Sequence, residues 1–161
     1  MLPSGKPDFS QVIPCRCSQK ELDKDRLAHL QQYSNLGSLS GLTFDNLLPE
    51  GRSGSPASQE QFRHIYEVAK SFASEPKGWL TLVGPSGSGK THLAAAIANE
   101  RLSQGYPVFF TTTPDLLDHL RSAFSPNSEI PYDEFFEQVR NAPLLVLDDL
   151  GVQTSTPWAE E

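Results

Sequence analysis

A chain of 161 residues has room for one ordinary domain and a short appendage, and its apolar fraction of 37% with 13 prolines points to a globular core carrying much loop. The net charge of -7 excludes a chain-wide basic footprint of the kind that coats nucleic-acid phosphates, leaving only local patches open. No apolar run approaches the ~18 residues of a membrane span and the first residues lack the apolar stretch of a signal peptide, so a cytoplasmic protein is expected.

Residues 1–13 carry Pro3, Gly5 and Pro7 without any periodicity and read as a mobile tail. Cys15 and Cys17 are the only cysteines. A single intervening residue is poor disulfide geometry, and a structural zinc ion takes four ligands where this pair offers two, so the balance favours two free thiols over an assembled zinc site. Ser18 and Glu21 fit an S-x-x-E capping box, opening a charged helix to about Tyr33. Its Leu22, Leu27, Leu30 and Tyr33 make an uneven stripe, suited to loose docking or a partner rather than to a core.

Residues 35–57 are rich in glycine, serine and proline and read as a linker, interrupted by the Leu42-Thr43-Phe44 and Leu47-Leu48 clusters. The pattern then changes. Phe62, Ile65, Tyr66, Ala69, Phe72 and Ala73 follow helical spacing, Ser58 and Gln61 form a second capping box, and Pro76 with Gly78 ends the segment. Residues 79–83, Trp-Leu-Thr-Leu-Val, predict a short strand of a parallel sheet covered on both faces.

The strand leads into Gly84, Pro85, Ser86, Gly87, Ser88, Gly89, Lys90 and Thr91, which read G-x-x-x-x-G-K-[ST], a phosphate-binding loop. Glycines let successive backbone N–H groups converge on one anion, Lys90 supplies a point charge for the β- and γ-phosphates, and Thr91 offers a hydroxyl to Mg²⁺. His92 follows in the first helical turn and is counted among the nucleotide-binding residues. The loop helix runs over residues 90–103 with Leu93, Ala94, Ile97 and Ala98 inward and Gly105 placed to cap it.

A second strand is expected over residues 108–111, completing a strand, loop, helix, strand unit with a right-handed crossover. Thr113-Pro114 opens a helix carrying Leu116, Leu117, Leu120 and Phe124, broken at residues 125–127. A short helix over 132–140 presents Phe135, Phe136 and Val139. Pro143 introduces a third buried strand over 144–147 that ends in Asp148 and Asp149. A carboxylate at the C-terminal end of a buried parallel strand lies at the edge where open α/β sheets bind ligands, so Asp148 suits the Mg²⁺ shell opposite Thr91 and Asp149 suits an attacking water as base or orienter. Taken alone, the two acids also fit a solvated strand end; the loop upstream favours the chemical role.

With both nucleotide motifs in view, GPSGSGKTHLAAAIA over 84–98 and LLVLDDLG over 144–151 resemble the AAA+ ATPases of the helicase-loader and transposition-helper group (DnaC, DnaI and IstB). IPCRC over 13–17, the charged helix after it and LTFDN over 42–46 resemble the approach to that ATPase core. The resemblance implies an α/β P-loop NTPase of AAA+ type, with a parallel sheet, flanking helices and a helical or linker segment before it. It places the N-terminal region at residues 1–41 and the first half of an ATPase domain at 42–161. It implies ATP and Mg²⁺ as cofactors, a replicative helicase or a transposase as partner, and homo-oligomers in the full-length family. Lys90 and Thr91 match the phosphate and magnesium positions and Asp148 the magnesium-associated acid, while Asp149 stands where many members place glutamate. The helix from Pro114 lies where initiator-type members grip single-stranded DNA, with Arg121 as its basic candidate, although a lone arginine on an exposed helix face is usually just solvated.

The departures are also informative. In the resembled fold, with strand order 5-1-4-3-2, a sensor strand lies between the loop strand and the Asp-Asp strand, and the chain ends before it. The cysteine pair resembles the second half of a zinc ribbon. Both ends therefore read as truncated, leaving three of five core strands, with facing edges unpaired and the polypeptide marginally stable or prone to associate. The expected function is that of an ATP-binding, partial AAA+ ATPase resembling a replication helicase loader, binding ATP but hydrolysing it poorly. The alternatives are a transposition helper, a non-hydrolysing adaptor and a P-loop small-molecule kinase.

Overall fold

In the computed structural model, residues 34–52, 54–123 and 132–152 are described. The tail, the Cys15 and Cys17 pair, the charged helix to Tyr33, Phe124 and the break at 125–127 lie outside them.

Helix α1 spans Pro56–Ser74 and starts two residues ahead of the expected Ser58 box. Pro56 takes the first helical position, where its missing N–H costs no hydrogen bond and its fixed φ suits the helix. Ser55 precedes it as N-cap. The apolar stripe faces inward as the spacing predicts, with Tyr66, Ala69 and Ala73 buried. Helix α2, Lys90–Ser103, lies against α1, and Leu93, Ala96 and Ile97 meet that stripe. Ala95 and Ala98 are buried too, because the other side of α2 faces Leu36, Val108 and Phe110. An alanine-rich helix with core on two sides suits a middle layer, where small side chains allow close approach.

Gln104 caps α2 and Gly105 follows at φ 82. The Gly105 N–H donates to the Leu102 carbonyl at 2.9 Å and the Tyr106 N–H to that of Arg101 at 3.0 Å, a Schellman closure that glycine alone enters without strain. The Arg101 guanidinium stacks on the Tyr106 ring, 3.7 Å from its centroid.

The sheet has two parallel strands, β1 over Phe109–Thr112 and β2 over Leu145–Asp148, pairing Phe109 with Leu145 and Thr112 with Asp148. Each begins one residue later than its sequence pattern suggests, since the ladder and not hydrophobicity sets its bounds. Phe109 packs on one face with Leu116, Leu120, Phe135 and Val139 from helices α3, Thr113–Ala123, and α4, Tyr132–Arg140; Phe110 packs on the other against α2. Of the three apolar residues that α4 presents, Phe135 and Val139 are buried, whereas Phe136 is exposed and stacks on Tyr132 at 5.9 Å; Gln138 takes a buried place beside Val139.

Among the described residues, two strands stand where three were expected. Residues 79–83 do alternate, with Leu80 and Leu82 packed on the α1–α2 core and Trp79 and Val83 exposed at 98% and 89%. Among the described residues no strand pairs with them, so the alternation yields an extended, one-sided segment without a ladder.

The stretch expected to be a linker is anchored in the core. Residues Asn35–Leu39 form a 3₁₀ helix with Leu36 buried, Phe44 is buried beneath the Tyr66 ring edge, and the Tyr66 hydroxyl donates to the Phe44 carbonyl at 3.2 Å. The Asn99 amide of α2 donates to the carbonyls of Leu39 and Leu42 at 3.0 and 2.9 Å. Ser34 closes the outer edge of β1. Its hydroxyl donates to the Phe110 carbonyl at 3.1 Å and accepts from the Phe110 N–H at 3.3 Å.

Asn35 ties this segment to α3 by donating to the Asp115 carboxylate at 2.5 Å. Hydrogen bonding from Thr112 and then from Asn35 holds that carboxyl below the usual aspartate range. A depressed carboxyl contributes stability above its unfolded pKa and loses it as pH falls through the folded one. Wild type is therefore expected to melt above Asp115→Asn at neutral pH, with the gap closing below about pH 4. Thermal melts of both proteins from pH 7 to pH 2.5 check this; a gap independent of pH removes the carboxylate as its cause.

Candidate nucleotide site

The phosphate loop turns between the extended segment 79–83 and α2. The Ser88 N–H donates to the Pro85 carbonyl at 3.3 Å, which closes the first bend. Gly87 and Gly89 take φ of 76 and 90, the left-handed region that side chains rarely enter, and Gly89 in that conformation is the N-cap of α2. Entering the helix this way leaves the first-turn N–H groups directed out of its N-terminus, and no acidic residue stands in that turn to compete for them. Pro85, Ser86, Gly87 and Ser88 are exposed, and Lys90 and Thr91 half-buried.

Lys90 bends back over the loop. Its Nζ donates to the carbonyls of Gly84 at 2.9 Å and Pro85 at 2.8 Å, so the ammonium is held at the loop by the backbone that leads into it. Among the described residues no carboxylate pairs with it. An unneutralised cation beside outward-facing amides is an anion site in chemical terms.

Asp148 ends β2 and is half-buried; its carbonyl accepts from the Thr113 hydroxyl at 3.1 Å, which fixes the strand end to the start of α3. Asp149 follows at φ 53, left-handed in a residue type that tolerates it, and is exposed at the head of a turn closed by the Val152 N–H on its carbonyl at 3.3 Å. The chain thus reverses directly after Asp148. Among the described residues, no hydrogen bond or ion pair joins Lys90 or Thr91 to Asp148, and no cluster of three or more His, Cys, Asp or Glu side chains forms a cation cage. The donors on offer are one hydroxyl and one carboxylate. Such hard oxygens suit Mg²⁺, which takes one or two from the protein and the rest from water and phosphate.

His92 turns away from the loop. Its Nε2 lies 3.1 Å from the Thr43 carbonyl and 3.0 Å from Asn46 Oδ1. Asn46 in turn accepts from the Thr43 N–H at 3.0 Å through Oδ1 and donates to the Gly41 carbonyl through Nδ2. Phe62 of α1 makes a second junction. A Cβ added at Gly51 would meet its ring at 3.1 Å, and one at Gly89 at 3.5 Å. Thr43, Asn46 and Phe62 are neighbours of the site that sequence reasoning did not place there. The only signal for the first two was their position in LTFDN.

Arg121, the candidate for single-stranded DNA, stands on α3 with its guanidinium 3.2 Å from the Asp118 carboxylate, both half or more exposed.

Comparison with known proteins places these features in a family. The family model described as IstB-like ATP binding protein matches residues 55–157, a span that includes the loop, β1, both flanking helices and the Asp-Asp strand. The chain is 31% identical over 107 residues to the replicative helicase loader DnaI of Bacillus subtilis, covering 66% of this chain and 33% of DnaI. It is 29% identical to the replicative helicase loader DnaC of Buchnera aphidicola subsp. Schizaphis graminum, covering 93% of this chain and 69% of that one. To DnaC of Escherichia coli K12 it is 39% identical over 75 residues, 30% of that relative's length. The chain therefore spans about a third of two of these loaders and about two thirds of the other.

Proposed function

The chain belongs to the IstB-like ATP-binding protein family, and from that premise we propose that it binds ATP·Mg²⁺ at residues 84–91 as the nucleotide-binding part of an AAA+ helicase-loading factor. The observation that carries the reading is the loop itself, with Gly89 opening α2 at φ 90 and Lys90 held across the loop without a carboxylate partner among the described residues. Triphosphate is the anion such a loop fits, and the names of the relatives direct the proposal to a replicative helicase.

In this reading the backbone N–H groups of Gly87 to Thr91 and the Lys90 ammonium hold the phosphates. Thr91 and Asp148 would hold Mg²⁺, which supplies charge neutralisation at the β- and γ-oxygens. Asp149 would orient water for hydrolysis. Its side chain is one methylene shorter than glutamate and sits on an exposed turn, which suits weak turnover and binding as the main event. Homo-oligomers, and contact of α3 with single-stranded DNA, belong to the same proposal.

Calorimetric titration with ATP, with and without Mg²⁺, tests it. Mg²⁺ is expected to tighten binding in wild type by about tenfold, and Asp148→Asn to abolish that increment while retaining metal-free binding. An unchanged increment in Asp148→Asn overturns the assignment of that carboxylate. Phosphate transfer to a nucleoside or sugar, in place of water, overturns the loader reading in favour of a kinase.

A further inference from the structure

We propose that the chain pairs with a second copy of itself through two open strand edges. Residues 79–83 of one copy run antiparallel along the free edge of β2 in the other, and a two-fold axis repeats the contact in reverse. The inference is independent of the nucleotide reading, and its test contains no nucleotide.

Both edges are open among the described residues. The ladder between β1 and β2 begins with the Phe109 N–H on the Leu144 carbonyl at 2.9 Å. A parallel ladder takes alternate residues of a strand, so Val146 serves β1 while the N–H and C=O groups of Leu145 and Leu147 point the other way, where no strand lies. Residues 79–83 are extended and make no backbone hydrogen bond there either. Exposed edges are ordinarily guarded by a charge, a proline or a bulge. Neither 79–83, Trp-Leu-Thr-Leu-Val, nor 144–147, Leu-Leu-Val-Leu, carries a charge or a proline. Trp79, Val83 and Leu147 are instead 98%, 89% and 40% exposed, so each edge offers unpaired backbone beside apolar surface.

Charge sets the direction of pairing. Lys77 stands two residues ahead of Trp79, and Asp148 and Asp149 close β2. Antiparallel pairing brings Lys77 of one copy to the acids of the other, whereas parallel pairing would set those acids beside Val83. Lys77 now bonds Glu75 at 2.6 Å with the two side chains 77% and 73% exposed, a surface pair of little strength that can change partner.

The faces set the register. Leu80, Leu82 and Leu144 share the α1–α2 side of the sheet, and Leu145 turns to the side of α3 and α4. Alternation therefore puts Trp79, Thr81 and Val83 on the same face as Leu145 and Leu147. A two-fold axis perpendicular to the sheet makes the strands antiparallel and keeps like faces together. Trp79 then lies opposite Leu147, Thr81 opposite Leu145 and Lys77 opposite Asp149. A slip of two residues keeps the faces matched but moves Lys77 from Asp149 to Gly151, so the charge pair selects the first alignment.

Sedimentation velocity of the whole chain, without nucleotide and over about 1–200 μM, is expected to show a monomer–dimer equilibrium. Leu147→Lys is expected to raise the dimer Kd by about tenfold or more. Thr81→Lys, on the exposed side of a segment without a ladder, is expected to do the same and serves if Leu147→Lys folds poorly. Lys77→Glu and Asp149→Lys are each expected to weaken the dimer by about fivefold, and the double variant to return within about twofold of wild type. A monomer at every concentration overturns the proposal. So does a dimer that Leu147→Lys and Thr81→Lys leave intact, which puts the contact on another surface. A double variant no tighter than the single ones overturns the antiparallel pairing and the proposal with it.

Discussion

Replacing Lys90 by alanine is expected to weaken ATP binding by about a hundredfold or more, close to 3 kcal/mol, the largest effect of any single change at the site. Two contributions add. The ammonium brings charge-assisted hydrogen bonds to phosphate, each ~1.5–3 kcal/mol where water is displaced. It also arrives pre-placed, because the Gly84 and Pro85 carbonyls already hold it at the loop and have removed much of the side-chain freedom that a lysine would otherwise lose on binding. Truncation removes both and leaves two carbonyls facing solvent, which water satisfies. Thermal stability should therefore move by well under 1 kcal/mol while affinity collapses. Lys90→Arg separates the contributions: charge is retained, but a planar guanidinium cannot repeat a point contact with two adjacent carbonyls, and an intermediate loss is expected. Calorimetry on the three proteins with melts alongside decides it. Affinity within a few-fold of wild type for Lys90→Ala would remove this loop from nucleotide binding.

The parts of the site that were legible before the structure are those whose chemistry is local. A phosphate loop is written in consecutive residues, since the positive φ at Gly87 and Gly89 and the cation one residue later act over a single turn. Helix α4 has the bounds that its spacing predicts, and α1 differs only at its start, because Pro56 suits a first-turn position as well as Ser58 suits a cap. What depends on distant neighbours was hidden. Residues 79–83 alternate correctly, yet a strand exists only by pairing, and no run of five residues reports whether a partner lies beside it.

Residues 35–57 misled for the opposite reason. Leu36 and Phe44 lie in short apolar clusters without a period to announce burial; Leu36 is buried because α2 and the strand segment at Val108 and Phe110 present a hollow for it, and Phe44 because α1 and α2 do. His92 shows the same limit at the site. Its place after Thr91 suggests a nucleotide contact, whereas its ring orientation is decided by Thr43 and Asn46, 49 and 46 residues away in sequence. Asp149 stands between these cases: two acids after an apolar run are visible, but the left-handed turn that sends the second outward is not.

The second large effect is on the fold. Phe110→Ala is expected to cost ~3–5 kcal/mol, because Phe110 is 1% exposed and fills the space between the sheet and α2 among Leu36, Ala95, Ala98 and Val108. Its neighbours cannot close the gap. Two are alanines whose backbone belongs to a helix with core on both sides, so the void persists and the cavity cost is paid in full. Small domains commonly hold only ~5–15 kcal/mol, so one substitution removes a large share. Phe136→Ala, at an exposed aromatic of α4, should lie within about 0.5 kcal/mol of wild type and controls for the loss of a ring as such. Urea denaturation reads both, as a shift of midpoint at constant slope. Nucleotide gives an independent readout, because a ligand that binds only the folded form adds about 2.7 kcal/mol at a hundredfold excess over its Kd. ATP should then restore much of the stability lost in Phe110→Ala and little of it once Lys90→Ala is added. Equal rescue of the single and double variants would mean that the ligand stabilises the fold from somewhere other than the loop.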